Sequence, residues 1–365
     1  MMALSELGYQ VDLLTLPIGT DESIENVSVI RAWNFFGSTQ IAIGPSLLKL
    51  WFSLILLIQG TGLVLRNRYD VVHGNEEAGF VCYLLSLISR AKCIFEKHSD
   101  SKSYSPKWIL KPVLSLYRGA EALTAKKSKV VISTGPALDE QARVMSGGEA
   151  PEGKFHMIPD TPSSTVEASA EDIKKIRQQL ISESDQVLVT YAGSFASYQG
   201  IDIIFDAMPD ILRNTPNARF VIIGGSQQEI TDYQSALQQQ GVNDEVQFLG
   251  KIDPDLLPAY LAASDILLAP RKSGVNSPLK ILDYFKAGAA IVATNTVANK
   301  RLLNNENAML CEFSVADFST AISTLVTSPE KRQSIGQKAH ELYQSTYNFK
   351  MFKSQIKKAY DACLA

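Results

Sequence analysis

Short runs of β-branched and aliphatic residues alternate along the chain with longer segments whose apolar positions recur every three or four residues, the rhythm of parallel sheets built from β-α units. The runs predict strands at Val11–Leu16, Asp70–His73, Cys93–His98 and Lys129–Thr134. A second series follows at Val187–Ala192, Arg219–Gly224, Val246–Leu249, Asp265–Ala269 and Ala290–Thr294. Helical periodicity falls between them, notably at Ala168–Ile181, Ile201–Asn214, Gln228–Gln240, Leu256–Ala263, Pro278–Ala287 and Val315–Val326. Between the two series, Gly147–Thr165 (GGEAPEGKFHMIPDTPSST) is the stretch richest in Gly, Pro and Ser and reads as a linker. The expected fold class is α/β: two doubly wound, Rossmann-like domains facing a cleft, over residues 1–160 and 161–345. Residues 346–365 form a helix returning to the first domain, since Asn348–Leu364 has amphipathic spacing. In such sheets ligands bind beyond the carboxyl ends of the strands, so chemistry is sought in the loops that follow them.

Two segments depart from the rhythm. Leu47–Leu65 (LLKLWFSLILLIQGTGLVL) is about as long as a membrane-spanning helix requires. Gln59, Gly60-Thr61-Gly62 and Lys49 interrupt it, and Arg66 and Arg68 lead out into a strand, so a buried packing helix is favoured over a membrane-facing surface helix or a span. The chain also opens on half a helix, a turn at Gly8 and a strand, where a doubly wound domain starts with a strand and a Gly-containing loop. One further strand and loop, about 15–25 residues, are therefore expected before Met1.

Composition narrows the function classes. The 365 residues leave room for two domains, and 45% apolar with 20% charged residues fits a soluble globular protein. Thirty-five Lys and Arg against 38 Asp and Glu argue against a surface dedicated to nucleic acid, although a local anion site is compatible. Cys82, Cys93, Cys311 and Cys363 form no C-x-x-C pair, so neither a zinc ribbon nor a disulfide framework is expected, and a reducing cytoplasm fits. No secretory signal pattern opens the chain.

The clearest candidate chemistry lies in Arg271–Asn295 (RKSGVNSPLKILDYFKAGAAIVATN). Ser277 is a good helix cap and Pro278 a favoured first helical residue, so a helix should start there and stop near Gly288. Its free amides, the positive end of its dipole and Lys280 in the first turn suit a phosphate or diphosphate. Asp283, one turn on along the same face, is placed to accept hydrogen bonds from ribose hydroxyls; the alternative is a plain surface ion pair between Lys280 and Asp283. The DPD at Asp253–Asp255 starts a helix, where acidic residues suit the dipole, and is not read as a metal site.

The segments LSELGYQVDLLT, YDVVHGNEEAG, FEKHSDS, VISTG, YAGSFASYQGIDIIFDAM, FVIIGG, VQFLGKIDPDLLPAYLAASDILLAP and SPLKILDYFKAGAAIVATN, in this order and spacing, resemble the retaining glycosyltransferases of family 4, which have the GT-B fold. The resemblance covers nearly the whole chain. In that family a Glu-x(7)-Glu motif holds the donor sugar with its first carboxylate and the nucleotide ribose with its second; here these positions are Val275 and Asp283. Asp283 keeps the acceptor chemistry at shorter reach, whereas Val275 removes it, leaving Asn276 or the backbone of residues 274–277 for the sugar. The family often directs two basic side chains at the donor phosphates from the positions of Ser194 and Gln199, so Lys280, with Arg271 or Lys272, must supply the charge here. The donor-binding candidates further include Gly193, Gly224 and Gly225 beside the donor, Ser277, Pro278 and Leu279 at the helix start facing the diphosphate, with Asn276 before them, and the resemblance places Lys251 and Ile252 at the nucleobase and His98 in the cleft near sugar and acceptor. His73 stands in a similar context, and a histidine satisfied by local backbone is the plain alternative for His98.

The implied activity is transfer of a sugar from a nucleotide-diphosphate sugar to a glycan, lipid-linked or other hydroxyl acceptor with retention of configuration. His98, Lys280 and Asp283 are the expected catalytic residues. Neither a metal nor another cofactor is implied, and no nucleic acid partner. The resemblance places the activity in the cytoplasm, with peripheral association at the inner face of the cell membrane as a possible partner surface. Val275, Ser194, Gln199 and the absent opening strand leave open a catalytically weak nucleotide-sugar-binding accessory protein, and a GT-B sugar-nucleotide epimerase is the other alternative.

Overall fold

The computed structural model describes residues 1–20, 23–41, 46–100, 111–148, 151–242, 244–274 and 278–365. Two compact units emerge, one of residues 1–159 with 349–365 and one of residues 160–348.

The first unit contains α1 (Met2–Glu6), β1 (Val11–Thr15), β2 (Val27–Arg31), α2 (Leu47–Arg66), β3 (Val71–Asn75), α3 (Ala78–Ser89), β4 (Lys92–Lys97), α4 (Lys111–Lys127), β5 (Val130–Ser133), α5 (Pro136–Met145) and β6 (Phe155–Met157). Strands β3 to β6 form a parallel sheet in chain order, and β1 pairs only with β2 among the described residues. Gly79 lets α3 settle directly onto the ring of Phe95 in β4: a Cβ there would stand 2.4 Å from the ring. β2 and β6 are strands that the hydrophobic pattern did not reveal; β6 falls inside the expected linker, which breaks as structure only after it, at residues 159–160.

The preference for a fully packed α2 holds on one face only. Phe52, Ile55, Leu56 and Gly60 are buried, whereas Leu47, Leu50, Leu54, Ile58 and Leu65 are exposed. The apolar run wraps the whole helix, so packing one side leaves the other uncovered.

The second unit holds α6 (Ala170–Leu180), β7 (Val187–Ala192), α7 (Asp202–Asn214), β8 (Ala218–Ile223), α8 (Gln227–Gln240), β9 (Val246–Gly250), α9 (Leu257–Ala263), β10 (Ile266–Ala269), α10 (Lys280–Ala287), β11 (Ala290–Thr294), β12 (Met309–Cys311), α11 (Val315–Thr327) and α12 (Pro329–Leu342). Its six strands are parallel in the order β12-β11-β10-β7-β8-β9. Every residue of β7 is buried, and its side chains alternate between the two faces of the sheet: Val189 and Tyr191 join a core with α7, α8 and α11, Leu188 and Ala192 one with α9 and α10. The last helix, α13 (Phe349–Leu364), belongs to the first unit, where Ile356, Ala359, Tyr360 and Cys363 pack with Leu4, Ile94, Val130 and Ile132.

Candidate active site

The sheet of the second unit grows outward from β7 toward β9 and then resumes on the other side with β10. Between β7 and β10 the strand order reverses, the topological switch point at which open sheets of this kind bind ligands. The loops after these two strands, and the helix after β10, therefore carry the site.

After β7 the chain turns at Gly193, whose φ of +152° disfavours a side chain. The place a Cβ would take lies 2.5 Å from Lys280 Nζ, so glycine at 193 makes room for the lysine. Gly224, after β8, stacks against the same turn: with φ +114°, a Cβ there would come within 2.0 Å of the Gly193 carbonyl oxygen. Gly193 N donates to Ile223 O at 3.0 Å and Gly224 N to Gly250 O at 2.7 Å, so the ends of β7, β8 and β9 are tied in one row. Gly225 rests on the ring of Phe195, Ser194 is exposed, and Lys251 and Ile252 follow directly on β9. Gln199 closes a short 3₁₀ turn, and Lys272 N donates to Tyr198 O at 3.0 Å, joining this loop to the one after β10.

Lys280 is the first residue of α10, and its ammonium lies 4.3 Å from the centre of the Tyr191 ring. Nζ is buried, and no described residue gives it a hydrogen-bond partner. Burial first, and then the nearby charge of Arg271, lower the lysine to about 7. Arg271 donates from Nε to Ser273 O at 2.9 Å and lies over Tyr198, and it too forms no ion pair among the described residues. Lys272 turns instead toward the ring of Phe313, 5.7 Å away. Two cations close enough to disfavour each other, with no carboxylate between them among the described residues, make surroundings suited to an anion.

The regular turns of α10 begin at Lys280 and not at Pro278: Ile281 N bonds Pro278 O and Leu282 N bonds Leu279 O, the tight spacing of a 3₁₀ entry. Pro278 is buried and Leu279 exposed; Val275, Asn276 and the expected cap Ser277 lie outside the described residues. The alternative ion pair of Lys280 with Asp283 is not formed. Asp283 Oδ1 accepts from Ser163 N at 2.7 Å and from Ser163 Oγ at 2.9 Å. Burial raises the Asp283 carboxyl while the Ser163 bonds and Lys286 oppose the rise. Its side chain lines a cavity of about 190 Å³ together with Ser163, Leu257, Leu261 and Lys286. Asp253 accepts from the Asp255 amide at 3.0 Å in the turn before α9.

In the first unit the carboxyl ends of β3 and β4 build a second polar cluster. Parallel register sets Asn75 beside Glu96, which brings His73 and His98 to either side of the Glu96 carboxylate. His73 Nε2 lies 3.0 Å from Glu96 Oε2, outside good hydrogen-bond geometry, and His98 Nε2 lies 3.1 Å from Oε1. Burial by itself would raise the Glu96 carboxyl; the two imidazoles lying against it outweigh that and hold the group well below the usual carboxylate range. His73 Nδ1 meets Tyr360 Oη of α13 at 2.8 Å, which fixes that ring, whereas His98 is more exposed.

Glu76 anchors the loop carrying His98. Its backbone takes φ +51°, a costly conformation for a residue with a Cβ. Its carboxylate accepts from His98 N at 2.5 Å, Ser99 N at 2.7 Å, Ser99 Oγ at 2.8 Å and Tyr117 Oη at 3.2 Å. Beneath lies the fully buried pair of Lys97 and Glu121, with Lys97 Nζ also donating to Ser99 O at 2.7 Å. Glu76, Tyr191, Tyr284 and Ser163 were not singled out in the sequence. Tyr284 donates to Leu268 O at 3.0 Å from inside the core, holding α10 against the end of β10. Glu76, Tyr191 and Tyr284 stood within recognised segments (YDVVHGNEEAG, YAGSFASYQG and SPLKILDYFKAG) but carried no assigned role there, and Ser163 lay in the stretch read as linker.

The family model Glycosyltransferase Family 4 matches residues 1–160, and Glycosyl transferases group 1 matches residues 172–342. Alpha-D-kanosaminyltransferase of Streptomyces kanamyceticus is 22% identical over 86% of this chain and 84% of its own length. Among solved structures, sucrose-phosphate synthase from Thermosynechococcus elongatus superposes with a TM-score of 0.72 at 20% identity, covering 99% of this chain and 90% of that one. Anabaena Alr3699/HepE, crystallised with UDP, gives 0.67 at 19% identity over 92% and 86%. The chain belongs to the family 4 glycosyltransferases of GT-B fold, its second unit being the group 1 domain, and it is a transferase enzyme.

Proposed function

We propose that the protein transfers a sugar from a nucleotide-diphosphate donor to a hydroxyl of a glycan or lipid-linked acceptor, with retention of anomeric configuration, in the cytoplasm or at the inner face of the cell membrane. One observation carries the donor half: the buried Lys280 ammonium, beside Gly193 and near Arg271, has no described partner. A diphosphate there supplies the missing negative charge and keeps the lysine protonated. As the glycosidic bond breaks, charge accumulates on the diphosphate oxygen, where Lys280 and the amides at the start of α10 stabilise it. This placement asks nothing of a metal ion, since side chains of the chain itself neutralise the leaving group.

The Asp283 carboxylate takes the ribose hydroxyls, with Ser163 orienting it. Main-chain groups near Gly250 to Ile252 hold the base. In the first unit His98 hydrogen-bonds the sugar or the acceptor hydroxyl, and Glu96 sets the orientation of its ring. No side chain in these clusters stands out as a nucleophile, which agrees with attack by the acceptor on the face the diphosphate leaves.

The test is incubation of the purified chain with UDP-, GDP- and ADP-sugars and glycan or polyprenyl-linked acceptors, with the product anomer read by NMR. Retained configuration in an acceptor-dependent product is expected; binding without turnover for every pair sinks the enzymatic reading in this form. That second outcome describes an accessory donor-binding protein, favoured by Val275 in place of the sugar-holding carboxylate.

A further inference from the structure

We propose that the outer face of α2, with Trp33, Phe35 and Phe36 after β2, docks on an anionic lipid bilayer. This deepens the reading of a lipid-linked acceptor and rests on it for its purpose, while its geometry stands independently.

Helix α2 is 20 residues, about 30 Å long. On a helical projection Leu47, Leu50, Leu54, Ile58 and Leu65 fall along one stripe opposite the buried Phe52, Ile55 and Leu56, and Leu47, Ile58 and Leu65 are 67%, 51% and 70% exposed. Residues 33–36, after β2, lie against the same helix. Gln59 pins them, accepting from Trp33 N at 2.9 Å and donating to Arg31 O at 3.3 Å, and Phe36 packs on Trp51 with ring centres 5.5 Å apart. Phe35 and Phe36 are nevertheless 67% and 69% exposed, and Trp33 is half exposed. Five aliphatic and three aromatic side chains are thus exposed on neighbouring segments of one face, an accumulation of apolar groups of the kind that marks an interaction surface.

Charge chooses among the occupants. Lys49 near the start of α2 meets Glu77 before α3 at 2.7 Å, and further along Gly60 abuts Leu85, so α2 and α3 run side by side in the same direction. Their carboxyl ends therefore lie together, bringing Arg66, Arg68 and Arg90 to one end of the stripe, all exposed and none in an ion pair among the described residues. Residues 46–70 contain a single acidic side chain, Asp70. An apolar stripe with aromatic residues beside it and unpaired arginines at one end matches the boundary of acyl chains and anionic headgroups. Because the opposite face of α2 is packed in the first unit, the helix lies in the plane of the bilayer surface and does not cross it.

The test is co-flotation of the full chain with vesicles of phosphatidylcholine alone or with about 30% phosphatidylglycerol. Binding is expected to anionic vesicles and to fall steeply at about 0.5 M salt. An arginine at such a surface is worth about fivefold in partitioning, so Arg66→Ser with Arg68→Ser should lose about 30-fold. Leu54→Ser with Ile58→Ser should abolish flotation and leave the circular dichroism spectrum and melting curve unchanged. The proposal is overturned by absence of flotation, by equal binding to neutral vesicles, or by a dimer in light scattering that the Leu54/Ile58 variant dissociates, which would assign the face to a second copy. Transfer to a water-soluble acceptor, measured in parallel, separates failure of membrane docking from failure of the transferase reading.

Discussion

Replacing Lys280 by Met should make the ligand-free protein more stable and the donor site weaker. The methionine keeps the length and packing over Tyr191 and removes the ammonium. A buried lysine lowered to about 7 is disfavoured as the cation, relative to the unfolded chain, by on the order of 4 kcal/mol at neutral pH, which sets the ceiling of the gain. A realised gain of about 1–2 kcal/mol raises the melting temperature of a unit this size by about 2–8 °C. The pH dependence follows in sign: between about 7 and 10 the unfolded chain holds a proton that the folded chain gives up, so wild-type stability rises with pH and the advantage of the variant disappears. Binding moves the other way. Loss of a charge-assisted contact of about 1.5–3 kcal/mol weakens a nucleoside diphosphate about 10- to 150-fold and leaves the free nucleoside within about twofold. Calorimetric titration with UDP, GDP and ADP against their nucleosides, and thermal melts from neutral pH upward, measure both. A variant that melts lower at pH 7 and weakens nucleoside and nucleotide equally would show that Lys280 only packs.

Asp283→Ala should weaken nucleotide and nucleoside alike, about 10-fold or more, while inorganic pyrophosphate binding is unchanged, as competition titration would show. Gly224→Ala forces a Cβ to 2.0 Å from the Gly193 carbonyl, so stability should drop by about 2 kcal/mol or more in denaturant melts; Gly8→Ala, with open space around its Cβ, should cost less. Glu96→Gln removes the charge held between His73 and His98. Because the Glu96 carboxyl is depressed, wild-type stability from it is present above about pH 4.5 and lost as pH falls further, so wild type and variant should converge in acid, with a gap of about 1–3 kcal/mol at neutral pH. Turnover with any productive donor should survive EDTA; loss of activity restored by a divalent cation would refute the side-chain neutralisation of the leaving group.

Much of the fold was legible because buried parallel strands are nearly continuous apolar runs, as in VLVTYA of β7 and AIVAT of β11, and boundaries there were read to the residue. Strands with half-exposed residues left no such mark: VSVIR of β2 and the three-residue edge strands β6 and β12 are too short and too mixed. For α2 the sequence shows how apolar the helix is, but which half is covered depends on long-range packing with α3. At the site, Lys280 and Asp283 stood out through spacing, yet their separation to different partners, Tyr191 and Ser163, comes from a rotation about α10 that charge pattern alone does not encode. The same holds for Glu76, whose role depends on a left-handed backbone angle, a conformation unusual for glutamate.

Helix α13 gives the chain an order of assembly. Residues 160–348 are contiguous, so that unit can complete its core as soon as it leaves the ribosome, while the first unit waits for residues 349–365 to be made. Until then Ile94, Val130 and Ile132 lack their covering helix, and His73 lacks Tyr360. A stop codon just before residue 349 would accordingly damage the unit of residues 1–159 and spare the unit translated immediately before the break.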